Sequence, residues 1–314
     1  MQNRDIQQIN LMMTRAFARG RKEDGYENTH IPLCKQQFLE MYLEECPEGC
    51  FVIEEAGRII AASFSHVWGR TGWIGPLAVD PDNHLSGLGK RIMYDSIQFL
   101  KDSGCTTIGL ETNPRSNRNL GFYGKLGFEV SSLTADMIRQ ANNDPDGHLQ
   151  TPFKVIFYSE CSNSNQELFC RLVQEFIKDV IPDTSFTPLI RSLANYNFGD
   201  SVLFLHDSSP VAYTSFQTLS TSTEEDNYIL RNIAFVAHPK LPSKYFGLLL
   251  TALDSIAANR DLDQLLLRIQ LSNSKLFHML LNMNFKIIHT DQRMTMKGYR
   301  EKTKTDALFF SRWV

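Results

Sequence analysis

Residues 79–90, Val-Asp-Pro-Asp-Asn-His-Leu-Ser-Gly-Leu-Gly-Lys, combine features that can hold a phosphate. A loop entering the first turn of a helix presents backbone N–H groups without intrahelical partners, at the positive end of the dipole. Gly87 and Gly89 carry no Cβ, so a phosphate or pyrophosphate can come close to the main chain. Lys90 can meet the same anion or stand as a solvated lysine at the helix start. His84 can donate to it or point at water. Two glycines before a helix also mark an ordinary turn. The spacing fits neither the dinucleotide fingerprint, which needs a third glycine, nor the P-loop, which needs Gly-Lys-Ser/Thr.

The flanking elements must position that loop. Residues 73–79 (WIGPLAV) are short, apolar and rich in strand formers, and Ile92, Met93, Ile97 and Leu100 recur at helical spacing. The predicted order is therefore strand, glycine-containing loop, helix. A second unit follows: a strand over 106–112, a polar turn over 113–119, and a short helix over 120–128 that stops at Gly127. Asn117 and Asn119 at that helix start can hydrogen-bond a ligand or cap the helix.

This combination resembles the GNAT superfamily of acetyl-CoA-dependent N-acyltransferases. The family's pyrophosphate loop, Arg/Gln-x-x-Gly-x-Gly/Ala, is matched by His84-Leu85-Ser86-Gly87-Leu88-Gly89, with His84 as the departure. The Val-x-Pro leading into it is matched by Val79-Asp80-Pro81, and the late aromatic-Tyr segment by Phe122-Tyr123-Gly124-Lys125-Leu126-Gly127-Phe128. The resemblance implies acetyl-CoA as cosubstrate and no metal. It implies that the backbone of Leu77, Ala78 and Val79 meets the pantetheine, one N–H facing the thioester oxygen. Residues 84–90 would then hold the pyrophosphate, Tyr123 would be the general acid, and Glu111 would be a candidate base acting directly or through water. Tyr123 can equally be a half-buried core aromatic, and Glu111 a solvent-facing strand carboxylate. The chemistry needs such groups: a free Lys amine has a pKa of about 10.4 and must lose a proton, and the tetrahedral transition state places negative charge on oxygen.

The 314 residues are enough for two domains, with 42% hydrophobic and 21% charged residues. A net charge of −3 gives no general drive toward nucleic acid or anionic membrane. No apolar run approaches the roughly 20 residues of a membrane span, and the N-terminus lacks the pattern of a secretory signal. The six cysteines form no Cys-x-x-Cys pair and no His cluster accompanies them, which predicts reduced thiols in the cytoplasm rather than zinc or disulfides.

Along the chain, helices are predicted over 5–17 and 35–45, and a hairpin over 51–55 and 59–67. Residues 131–150 read as a polar loop, and 153–158 as a strand completing the first sheet. Residues 162–165 (SNSN) read as a linker. The order then repeats: a helix over 167–180, strands at 202–206, 210–219 and 228–236, a helix over 247–258, a strand over 264–270, a helix over 274–281, and strands at 285–289 and 293–296 closing the second sheet. Aligning Pro81 with Pro239 sets Gly89 on Gly247 but Gly87 on Tyr245, and Tyr123 corresponds to Leu280. The expected architecture is α/β (α+β), two tandem GNAT folds, each a mixed, mostly antiparallel central sheet flanked by helices. Residues 1–160 would be the acetyltransferase domain and 165–314 a degenerate copy that packs on it and shapes the acceptor cleft. The alternative is that the copy still binds CoA by a modified loop.

The expected activity is acetyl transfer to a primary amine, on a small molecule or on a protein lysine or N-terminus. The alternative is a CoA-binding or protein-interaction module with little turnover. Two-copy chains of this size also resemble bacterial effectors of the VipF kind, which would make a host protein the partner and a host cell the destination. The apolar tail, residues 307–314, is expected to pack on the body.

Overall fold

The computed structural model describes residues 1–83, 87–142, 151–225, 227–242, 244–303 and 308–312. Two helices lead, α1 (Ile6–Glu23) and α2 (Gln36–Glu45), and α1 runs six residues beyond its predicted end into a charged stretch. The hairpin of β1 (Phe51–Glu55) and β2 (Arg58–Trp68) turns at Ala56-Gly57, both at positive φ (50° and 76°). That is the turn whose twist suits a two-residue hairpin. Then come β3 (Thr71–Val79), α3 (Leu88–Asp102), β4 (Thr107–Thr112), α4 (Asn117–Lys125) and β5 (Phe128–Gln140).

The second half repeats the order after β6 (Lys154–Phe157). Helices α5 (Asn163–Ile177) and α6 (Thr187–Asn195) precede β7 (Gly199–His206), β8 (Ser209–Gln217) and β9 (Ile229–Ala237). After these come α7 (Lys244–Ala258), β10 (Gln264–Gln270), α8 (Ser274–Asn282), β11 (Lys286–Met296) and β12 (Phe309–Ser311). The SNSN stretch is no free linker: Ser162 is the N-cap of α5, and 163–165 are its first turn.

All strands join one sheet, ordered β1-β2-β3-β4-β11-β5-β10-β9-β8-β7-β6, with β12 attached to β9. At its centre the halves exchange strands. β11 lies between β4 and β5, and β5 lies between β11 and β10, all antiparallel. The predicted closure of each sheet by its own last strands is thereby corrected. β11 closes onto the first half, and β6 pairs with β7 at the far edge of the second. Residues 131–140 are strand rather than loop. Their polar members Thr134 and Asp136 are buried and satisfied between strands, while Ala135 and Met137 pack under α7 and α8. Residues 143–150 of that expected loop lie outside the described residues.

Three apolar clusters hold the layers. Met294 and Met296 of β11 pack with Met93, Ile97 and Leu100 on the α3/α4 face of the first half. The opposite face carries one continuous cluster running from Ile9 and Trp73 in the first half to Ile177, Phe186 and Tyr213 in the second. Burial of this kind, at about 25 cal/mol per Å² of apolar surface, ties each half to strands of the other.

Candidate active site

Strands β3 and β4 are parallel and pair over three positions only, Thr71↔Thr107, Gly72↔Ile108 and Trp73↔Gly109. Opposite β2, the register slips between Ser63 and Ser65, leaving an extra residue in β3 at Gly75-Pro76. Such a bulge bends its strand and sharpens the local twist. Beyond Trp73 the two strands part. Residues 110–112 of β4 pair with β11 on the other side, and among the described residues no strand pairs with the β4-facing edge of β3 beyond Trp73. The Asp80 N–H donates to Ile60 on β2 at 2.8 Å, so by alternation the Val79 N–H faces the gap.

The gap ends at α3. Gly87 is its N-cap in the left-handed region (φ 82°), exposed, with no atom of the described residues within 4 Å of where a Cβ would stand. Only a residue without a Cβ penalty fits that conformation comfortably. A Cβ at Gly89 would stand 3.6 Å from both Phe122 and Val79, an ordinary van der Waals contact, so α3 lies against α4 and β3 here without requiring glycine. Leu88 is half-buried, and Lys90 is exposed with its Nζ 5.6 Å over the Tyr94 ring. His84, Leu85 and Ser86 lie outside the described residues. Of the strand residues, Ala78 is buried under α1 and α2, Leu77 packs in the α3/α4 cluster, and Val79 is half-exposed.

Helix α4 supplies the second wall. Ser116 caps it, accepting from the Asn119 N–H at 3.4 Å. Asn119 Nδ2 donates to Thr112 Oγ1 at 3.2 Å, tying the helix to the end of β4, while Asn117 is exposed. Tyr123 sits in the same cluster as Leu77, its ring 5.1 Å from Phe122 and 6.1 Å from Phe128. Burial pushes its hydroxyl up to about 12 against the opposing pull of Arg118, so the phenol keeps its proton at neutral pH and can donate it.

Glu111 lies where β4 has parted from β3, and its side chain is buried. Oε1 accepts from Arg293 Nε at 2.9 Å and Nη2 at 2.8 Å and from Thr134 Oγ1 at 3.3 Å, and Oε2 accepts from Arg268 Nη1. Arg268 also binds both oxygens of Asp136 (2.7 and 2.9 Å) and Asp291 at 2.9 Å. Burial raises the Asp136 carboxyl, but Arg312 and Arg268 outweigh it and hold the group at about 2. A base needs a free carboxylate lone pair within reach of the amine; at Glu111 both oxygens are engaged by guanidinium donors from the second half.

Sequence reasoning did not find the clamp over the mouth of this region. The α1–α2 connection lies on the β4–α4 loop: Tyr26 Oη donates to Asn113 Oδ1 at 2.9 Å, Asn113 Nδ2 donates to Asp24 at 3.1 Å, and the Arg115 guanidinium stands 4.4 Å from the Tyr26 ring centre. From α1, Arg15 reaches Asp82 at 2.8 Å and Arg19 donates to the Pro81 carbonyl at 2.8 Å, gripping the start of the glycine loop. The second half joins in through His30–Glu224 at 2.6 Å and Lys35–Asn227 at 3.2 Å. Partners so far apart in sequence leave no local pattern to read.

In the second half, Tyr245 at the Gly87 position packs with Phe153 and His206 (ring centres 5.9 and 5.4 Å), and Leu280 at the Tyr123 position is fully buried. Among the described residues no group of three or more His, Cys, Asp or Glu could hold a metal, and no helix is long and apolar enough to cross a membrane.

The acetyltransferase (GNAT) family model matches residues 13–128. A glucosamine 6-phosphate N-acetyltransferase of Trypanosoma brucei brucei is 31% identical over 79 residues, which are 25% of this chain and 52% of that protein. The chain thus spans about half the length of the curated relative it matches. Among solved structures, a Pyrococcus horikoshii protein named only provisionally as an acetyltransferase superposes with a TM-score of 0.67 at 15% identity, over 100% of this chain and 92% of that one. A tandem GNAT protein from the clavulanic acid biosynthesis pathway gives 0.58 at 14% identity, over 93% and 94%. At these identities the likeness is one of fold, and it extends through both halves.

Proposed function

We propose, from the match of residues 13–128 to the acetyltransferase (GNAT) family model, that the chain transfers an acetyl group from acetyl-CoA to a primary amine. The observation that carries this reading is the gap between β3 and β4 ending at the Gly87 turn of α3. A pantetheine arm fits there as a strand would, hydrogen-bonding the free edge at Leu77–Val79. The pyrophosphate lies on the N–H groups of 87–90, where the helix dipole favours an anion. His84, Leu85 and Ser86 belong to the same loop.

In this proposal the amine nitrogen attacks the thioester carbon, and a slot-facing N–H of β3 stabilises the oxygen of the tetrahedral intermediate. The C–S bond then breaks, and the thiolate takes the proton of Tyr123. The amine proton passes to water or to a base, and the phenol is reprotonated. Residues 1–160 carry this chemistry and 165–314 form the companion domain. The acceptor is a small amine or a protein amine; the relative that acts on glucosamine 6-phosphate adds amino sugars to the acceptors worth testing. The six free cysteines suit a reducing cytoplasm, that of the source cell or, for an effector, of a host.

Thiol release from acetyl-CoA, screened over small amines, amino sugars and lysine peptides, tests the activity. Tyr123→Phe should lower turnover about 100-fold with acetyl-CoA affinity kept; unchanged turnover removes Tyr123 from the mechanism. A binding module with little turnover is the second reading, favoured by the engagement of Glu111 with two arginines. It predicts acetyl-CoA binding and no thiol release with any acceptor.

A further inference from the structure

The second half contains the same gap. Under the Pro81–Pro239 alignment Thr71 falls on Ile229, and β9 pairs with β10 at the three corresponding positions, Ile229↔Gln264, Leu230↔Leu265 and Arg231↔Leu266. The register with the preceding strand slips at the matching place, between Ser215 and Phe216. Here, however, the gap is filled. One edge of β9 is taken by β8 as far as Ala237, so β12 adds to the other edge, the one facing β10. It pairs Phe309↔Val236, Phe310↔Phe235 and Ser311↔Ala234, at the equivalents of Ala78, Leu77 and Pro76. The Ala237 N–H, equivalent to that of Val79, donates to the Leu308 carbonyl at 2.9 Å, and the Arg312 N–H donates to Ile233 at 2.7 Å. Phe310 is fully buried and stacks on Phe235, with ring centres 4.6 Å apart and 4° between planes.

The filled gap is wired to the open one. The Ser311 carbonyl accepts from Arg293 Nη2 at 2.8 Å, and Ser311 Oγ lies 3.4 Å from Nη1. The same guanidinium, wholly buried, holds Glu111 on β4. Glu111 lies in the part of β4 that has turned from β3 toward β11, the far wall of the first gap.

We propose that the C-terminal strand is a built-in occupant of the second half's cofactor slot and that, through Arg293 and Glu111, it positions the wall of the first half's slot. Arg293 is thus a positioning residue supplied by the second half, and the chain takes one acetyl-CoA. The occupancy of the second slot stands on the backbone pairing alone; its effect on the first rests on the function proposed above.

Amide hydrogen exchange on the intact protein tests the occupancy. Without cofactor the Ala237 amide should be protected while the Val79 amide exchanges freely, and acetyl-CoA should slow Val79 only. Fast exchange at Ala237 without cofactor, or protection there that depends on acetyl-CoA, overturns the proposal. Truncation after Thr303 tests the positioning, with Phe310→Ala in the full chain as the milder variant should the truncation not fold. Turnover should fall about tenfold or more with acetyl-CoA affinity kept, as misplacement of a wall by about 1 Å does. A synthetic peptide of residues 308–314 should restore the truncated chain. Unchanged turnover in both variants refutes the coupling, whereas a second acetyl-CoA bound by the truncated chain supports the occupancy, because the strand that fills the slot is gone. Failure of the whole chain to bind acetyl-CoA would sink the proposed function instead and leave the Ala237 result readable.

Discussion

The two halves part their parallel strands at the same register and differ in what lies beyond it. In the first, no strand among the described residues pairs with the β4-facing edge of β3 beyond Trp73, and that edge ends at a helix N-terminus built on Gly87. In the second, the corresponding edge is paired with the chain's own tail and the glycine is replaced by a packed tyrosine. A gap between strands is costly unless something satisfies its N–H and C=O groups. One half leaves that to a ligand or water, and the other satisfies it with protein. A repeated fold can thus keep its shape without a ligand in the gap, provided a segment of chain takes up the open hydrogen bonds.

The comparison breaks most readily at the bracket that joins the halves. Arg268→Met removes one guanidinium partner of buried Glu111 and Asp136 and of half-buried Asp291 and should cost about 3–5 kcal/mol in denaturant unfolding. A loss under about 1 kcal/mol would mean that the bracket is not what holds the halves together. The Asp136 carboxyl is held at about 2, below its ordinary 3.8. Its contribution is therefore present above the unfolded value and lost as pH falls through the folded one, so acid should loosen the junction before it melts either core.

A smaller effect sharpens the contrast between the slots. Gly87→Val forces a β-branched residue into the left-handed region, a strain of about 1–2 kcal/mol, and crowds the proposed pyrophosphate site; acetyl-CoA affinity should fall about tenfold or more by calorimetry. The reciprocal change, Tyr245→Gly, should leave one acetyl-CoA per chain because β12 still fills the second gap. Two sites in that variant would show that the tyrosine, not the tail, is the block.

The smallest expected effect belongs to the first half alone. Glu45, at the end of α2, accepts from Trp68 Nε1 at 2.6 Å, yet burial raises its carboxyl from 4.5 to about 7 against that bond. A folded value above the unfolded one means stability present at low pH and lost as pH rises through about 7. Glu45→Gln should flatten that decline and raise the melting temperature near pH 8 by about 2–4 °C. A wild-type profile flat across this range would contradict the burial argument.

Much of the local structure was legible in the chain. The spacing of Ile92, Met93, Ile97 and Leu100 marked α3, and the Ala56-Gly57 step marked the first hairpin, because helix faces and tight turns are written in neighbouring residues. The turn at Gly87 into α3 and the short helix that carries Tyr123 were legible for the same reason. Residues 131–140 were not: polar members such as Thr134 and Asp136 look like loop until Arg268, far along the chain, arrives to pair them. Glu111 could be named as a carboxylate of interest, but its two arginines come from strands whose place beside β4 no local pattern announces.

By itself, then, the sequence determined most of the elements, their repeated order, and the glycine turn that opens α3, since each depends on contacts within a turn or two. Only the tertiary structure decided that the halves trade central strands, that Glu111 joins them, and that β12 (residues 309–311) fills the second gap. Those outcomes turn on pairings between residues more than a hundred positions apart or at the chain's end, where register is set by which buried faces and charges find each other.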